Sequence, residues 1–265
     1  MMFQPVVPIG GVAGWAFLSR TKDTQQAAFN QSPQLVRDAE YFRENIGDVT
    51  TAEELVSDRR LLGVALGAFG LEDDINNRYF IQKVLEDGTL ETGALANRLA
   101  DKRYLEFSQA FGFGDFSTAR TQLSEFPDEI IGQYQTRQFE IAIGEQDDDM
   151  RLALNALREL PDIAEGSGSD TTKWFQVMGS EPLRRVFESA LGLPSSFASL
   201  DLDKQLEVFR DKAQRALGTD EISEIAQPDV QEDLIRRFLV RQQIAGGVTG
   251  YSPAQTALTL LQNSF

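Results

Sequence analysis

Apolar residues recur along this chain at intervals of three and four, the spacing that puts them on one face of an α-helix. From Thr51 onward Leu55, Leu62, Leu66 and Phe69 share a face, Thr51 and Glu54 stand three apart as a capping box, and Gly70 closes the pattern. A left-handed glycine just past the last turn, followed by an apolar residue, is the Schellman ending. In the C-terminal stretch Ala254, Ala257, Leu258, Leu261 and Phe265 form another stripe, opened by Ser252, Pro253 and Gln255 at the N-cap, N1 and N3 positions. Similar patterns predict helices over 33–46, 75–87, 91–100, 127–145, 148–158, 202–216 and 229–245. The β-rich run PVVPI carries two prolines, which argue against a central strand. The expected fold class is all-α.

Three segments end alike: residues 58–71 on Ala68-Phe69-Gly70-Leu71, 101–113 on Ala110-Phe111-Gly112-Phe113, and 180–193 on Ala190-Leu191-Gly192-Leu193. The first and third align without gaps and the second needs a one-residue shift. This predicts a multi-helix array, elongated or two-lobed, with degenerate helix-turn repetition built on shared stop chemistry. EGSGSD at 165–170 reads as a linker, dividing the chain into an N-terminal segment (1–31), a first helical half (32–164) and a second (171–265). The N-terminal helix, from about Trp15 to Asn30, has an apolar stripe interrupted between Leu18 and Phe29. It is expected to order by docking on a partner or against the C-terminal helix, or to fray.

Composition narrows the function classes. Apolar residues make up 42% and charged residues 25%, as in an ordinary globular protein. The net charge of −16 would repel a phosphate backbone, and Arg236, Arg237 and Arg241 read as a solvated helix face, so no nucleic-acid partner is expected. With neither cysteine nor histidine, disulfides, thiolate chemistry and the usual general base and nucleophile arrangements are excluded. The apolar run Val6 to Leu18 is broken by Pro8 and three glycines, and no basic residue precedes it. Neither membrane insertion nor a cleavable secretory signal is expected, which suits a cytoplasmic protein or one leaving by a signal-independent route.

The stretches PIGGVAGWAFL (8–18) and IAGGVTGYSPA (244–254) look most like phosphate loops. Gly14 is followed by Trp15, and Gly250 by Tyr251, Ser252 and Pro253, so the lysine and hydroxyl of a Walker loop are missing. Gly246 and Gly247 read as the cap and turn after a helix ending near Ala245, and Gly10 to Gly14 as a flexible lead-in to a helix. Asp147, Asp148 and Asp149 read as charges at a positive helix N-terminus, and Glu72, Asp73 and Asp74 as a solvated acidic turn. A glycosidase needs only two carboxylates, but nothing selects a pair among 41 acids. No catalytic, cofactor-binding or metal-ligating residue is designated, and neither a cofactor nor a small-molecule partner is expected.

The segments SPQLVRDAEYFRENIGDVTTAEELVSDRRLL, ANRLADKRYLEFSQAFGF, YQTRQFEIAIGEQDDDMRLAL, WFQVMGSEPLRRVFESALGLP and LDKQLEVF together resemble an uncharacterised bacterial family, domain of unknown function 1217, from about Ser32 onward. Its members occur mainly in alphaproteobacteria, often beside flagellar genes. The resemblance implies association with a flagellum and no particular chemistry; together with the lack of a designated reactive residue it leads to the expectation of a non-enzymatic structural or assembly protein with a flagellar protein partner, located in the cytoplasm or at the flagellum. The alternatives are an acidic export chaperone or binding module and, from another class, a helical cell-wall glycosidase.

Overall fold

The computed structural model describes residues 3–250, and among them it contains helices and no strand. The helices are α1 (Gly11–Asn30), α2 (Pro33–Asn45), α3 (Ala52–Ser57), α4 (Arg59–Phe69), α5 (Arg78–Asp87), α6 (Leu95–Arg98), α7 (Arg103–Phe111), α8 (Phe126–Gly144), α9 (Asp148–Glu165), α10 (Asp170–Gly179), α11 (Glu181–Ala190), α12 (Leu202–Leu217), α13 (Ile222–Ile225) and α14 (Pro228–Gly250). Short 3-10 turns lie at Ile46–Asp48, Glu72–Asn76, Arg120–Gln122 and Ser195–Ser199. The all-α class follows from the periodicity. The Ser252 cap and the stripe from Ala254 to Phe265 lie outside the described residues.

Local chemistry explains most helix ends. Thr51 and Glu54 form the expected capping box at α3. The single helix expected from Thr51 to Phe69 is two, however: Asp58 takes an extended conformation and accepts hydrogen bonds from the Arg60 and Leu61 amides, starting α4 afresh. A short carboxylate competes with the backbone for its own N–H groups, so it favours a cap over a helix interior. At Gly70 and Gly192 the left-handed glycine carries the paired Schellman bonds, Leu71 N to Leu66 O and Leu193 N to Glu188 O, both 6→1. Gly112 differs: its own N–H reaches Ser108 O at 2.8 Å, the simpler 5→1 closure. The one-residue shift among the three segments thus corresponds to a different closure.

Neither glycine-rich stretch behaves as expected. α1 begins at Gly11, so Gly14 lies in its first turn and is no lead-in. A β-carbon there would meet the Ile9 carbonyl oxygen at 1.8 Å, which reserves the position for glycine. Gly246 and Gly247 are not a cap: α14 keeps its helical bonding through Gly250. Glycine stops a helix only where it adopts the left-handed conformation; otherwise it weakens the helix without ending it.

The described chain divides into two compact units. The first takes residues up to Val6 and Thr21–Ile143. Its core joins Phe42 of α2, Ile46 just after it, the apolar face of α4 from Leu61 to Phe69, Phe107 and Phe111 of α7, and Phe126 and Ile130 of α8. The buried Gln25 carboxamide grips Val6 at both ends, its Oε1 accepting from Val6 N at 2.6 Å and its Nε2 donating to Val6 O.

The second unit takes Val7–Arg20 together with the chain from Gly144 onward. Trp174, Phe187, Phe197 and Phe209 pack edge to face or stacked at its centre, with Phe238 and Leu239 of α14 buried as well. Residues 165–170, expected to separate two halves, connect α9 to α10 inside this unit, and the contact boundary falls between Ile143 and Gly144. Composition marks where a chain can bend, whereas packing decides which helices belong together. α9 also outlasts its expected end at 158 and passes through Pro161 to Glu165.

Candidate functional site

A shallow groove of about 380 Å³ lies in the first unit between α2, α4 and α8. Its floor is the face of α4 that carries Gly63, Val64 and Gly67. Both glycines are helical, yet their surroundings differ. Gly67 lies under the Tyr134 ring, where a β-carbon would stand 2.8 Å from Cδ2. One turn earlier, the β-carbon position of Gly63 has nothing within 4 Å. The groove is therefore sealed at Gly67 and open at Gly63.

Its rim is charged with both signs: Asp38 and Glu72 against Arg59 and Arg60. Each arginine is held in place. Arg59 donates to Asn76 Oδ1 at 3.1 Å, while Arg60 donates to the Arg37 carbonyl and lies 3.7 Å above the Tyr41 ring. Tyr41 in turn donates to Asp58 at 2.6 Å, tying this rim to the α4 cap. Burial works against the Asp58 charge, but the bonds from Tyr41 and from the Leu61 and Arg60 amides outweigh it and hold the carboxyl below the ordinary range. Burial, and then the nearby Asp38, push the Tyr134 hydroxyl up, so it keeps its proton at neutral pH.

Elsewhere the acids act as structural partners. Asp147 caps α9 through the Met150 amide, Asp148 pairs with Arg151 and Arg185, and Asp149 accepts from Gln242 Nε2 at 3.0 Å. The three diverge, as expected for charges at a helix start. Among Glu72, Asp73 and Asp74, Asp74 is engaged by Tyr104 and Asn77. Among the described residues no cluster of His, Cys, Asp or Glu converges as metal ligands would, and no helix is long and apolar enough to cross a membrane. Arg236 and Arg237 both pair with Asp233 on their own helix, and a β-carbon on Gly192 would sit 2.7 Å from Arg241 Nη1.

Residues 68–230 match the profile of a protein family of unknown function, DUF1217. The chain belongs to this family. It is similar in structure to protein AGR_C_984 from Agrobacterium tumefaciens, known from its X-ray crystal structure, with a TM-score of 0.75 and 25% identity over 91% of this chain and 99% of that one. No protein of curated function matches it. Within the DUF1217 match lie Gly70, Gly112 and Gly192, the three helix stops, whereas Asp38, Arg59, Arg60 and Gly63 of the groove precede it.

Sequence reading designated none of the groove residues. A signal was nevertheless present: Gly63 and Gly67 interrupt an otherwise strong helix four residues apart, and interior glycine carries a cost that asks for a reason. Tyr134 supplies it at Gly67.

Proposed function

We propose that this DUF1217 protein is a non-enzymatic structural or assembly protein that works at the bacterial flagellum through protein-protein contacts. The observation carrying the binding role is the groove, whose floor lies open at Gly63 and whose rim presents fixed charges of both signs. Such a surface recognises a polypeptide by shape and charge placement. Support for the flagellar setting is the family resemblance and the neighbourhood of its genes.

The test follows the chain in a flagellated bacterium that carries its gene, fractionated into cytoplasm, medium and sheared filaments. Recovery of the native chain with the flagellar fraction, and its loss from that fraction when Gly63→Trp fills the groove, is the expected result. A chain confined to the cytoplasm whose deletion blocks export of other proteins would point instead to a chaperone. Clearing of cell-wall polymer in a zymogram, abolished by one Glu→Gln change, would point to a glycosidase and overturn the reading.

A further inference from the structure

The Gly112 stop carries more than a chain reversal. A β-carbon on Gly112 would stand 2.7 Å from Phe116 Cδ2 and 3.3 Å from Arg120 Cδ, so the aromatic ring and the arginine stem both lie over its bare backbone. Arg120 also lines a concavity of about 240 Å³ at the start of α8, together with Leu123, Glu125 and Glu129. Asp115 accepts from the Leu90 amide at 3.1 Å, which brings the Leu90 backbone to the residue that precedes Phe116. Leu90, Phe116 and Leu123 keep large apolar side chains in water, at 72%, 54% and 53% exposure. Exposed apolar groups collected on one surface and rimmed by charge mark a protein contact.

The charges of this surface are uncompensated. Arg120 forms no ion pair among the described residues, and its Nε is shut off from water with no hydrogen-bond partner. A guanidinium that has lost part of its hydration without gaining an acceptor is stabilised by a carboxylate more than a fully solvated one is. Glu125 and Glu129 are exposed, and neither pairs with Arg120 although all three line one concavity. The other acids nearby are engaged: Asp128 pairs with Arg43 at 2.7 Å, and Asp115 accepts from the Thr89 amide and hydroxyl. A free cation and two free carboxylates thus stand side by side without touching.

We propose that this surface pairs with the same surface of a second copy about a two-fold axis, Arg120 of each copy meeting the Glu125 and Glu129 carboxylates of the other while Leu90, Phe116 and Leu123 close the contact. In an isologous interface every contact between two positions occurs twice, so a patch holding unpaired charge of both signs is complementary to its own image. Each copy supplies what the fold of the other leaves unanswered. A purely acidic partner would serve Arg120 but crowd Glu125 and Glu129, and a purely basic one would do the reverse. The net charge of −16 opposes the approach of two copies, but at about 0.15 M salt repulsion between exposed charges is confined to about 8 Å, so the pairs in contact decide.

The inference stands apart from the flagellar reading, because it is measured on the purified full-length chain by sedimentation over a range of concentration at about 0.15 M salt. A concentration-dependent dimer is expected. Arg120→Glu makes the unpaired charges of the patch wholly acidic, and Glu125→Arg with Glu129→Arg makes them wholly basic. Each of these chains alone should dimerise about tenfold or more weakly than wild type, since like charges then face each other twice. An equimolar mixture of the two should recover association as a heterodimer. Leu123→Asp should also weaken the dimer and gives a reading that does not depend on Arg120, whereas Leu202→Glu, at an exposed position of the second unit, should leave it unchanged. Circular dichroism identifies the variants that keep the fold, and those are the ones compared. A monomer at every concentration overturns the inference. So does a dimer indifferent to the charge changes, a mixture no tighter than its separate components, or equal weakening by Leu202→Glu.

Discussion

Gln231 Nε2 donates to the carbonyl of Leu157 at 3.3 Å and to that of Ala156 at 3.0 Å. Leu157 stands four residues before Pro161, so its carbonyl is the acceptor that proline, lacking an N–H, leaves unserved. A buried side chain of α14 thereby replaces the missing helical bond and lets α9 continue.

Removing that amide should be costly. Gln231→Leu leaves the Leu157 carbonyl without a donor, and a loss of about 1–3 kcal/mol is expected in urea denaturation. In Gln231→Leu combined with Pro161→Ala the backbone N–H returns, so much of the loss should be recovered. Additive losses would show that Gln231 acts otherwise.

Trp15 and Glu232 provide a second long-range tie in the same unit, with the indole Nε1 donating to both carboxylate oxygens at 2.9 and 3.0 Å. Trp15 is buried, so Glu232→Ala should cost about 1–3 kcal/mol by stranding its N–H, and Glu232→Gln, which keeps an acceptor, distinctly less. Thermal melts of the two variants give the comparison.

Gly63 and Gly67 should respond to alanine with opposite signs. At Gly63 the new methyl enters open space and helix propensity alone counts, a gain of up to about 1 kcal/mol. At Gly67 it collides with the Tyr134 ring, a loss of about 1–3 kcal/mol. Urea midpoints decide, and equal shifts at the two positions would contradict the groove geometry.

Asp58 and Asp149 should tilt the pH profile in opposite directions. Asp58 has a depressed pKa, so its contribution is complete above the ordinary carboxylate value and fades as pH falls through the folded one. Burial first, then the Asp147 charge, raise that of Asp149, so its contribution is present below the ordinary value and lost as pH rises through the folded one. Asp58→Asn should therefore lower Tm at pH 7 and Asp149→Asn raise it; the Asp149 difference shrinks as pH falls toward about 4, whereas the Asp58 difference persists there and shrinks only at lower pH, as its depressed carboxyl protonates.

The helix stops at Gly70, Gly112 and Gly192 and the capping box at Thr51 were legible because each is decided within five or six residues: a left-handed φ or a side-chain oxygen facing its own amides. Asp58 belongs to the same class, but the apolar stripe running on both sides of it hid the break. α10 went unforeseen because the flexible residues before it, 165–170, suggested a boundary, while Ser169 in fact caps it through the Thr172 amide. The groove was barely legible, because its walls come from α2, α4 and α8, which local spacing cannot bring together.

By itself, then, the sequence determined the helical class, most helix ends and the exclusion of histidine and cysteine chemistry, since periodicity, capping and composition act locally or not at all. Tertiary packing alone decided that Val7–Arg20 joins the chain after Gly144, that Gln231 serves the acceptor Pro161 abandons, and that Gly11 lies under Gln243. Those outcomes depend on which buried faces meet across more than seventy residues, and one-dimensional spacing carries no record of that choice.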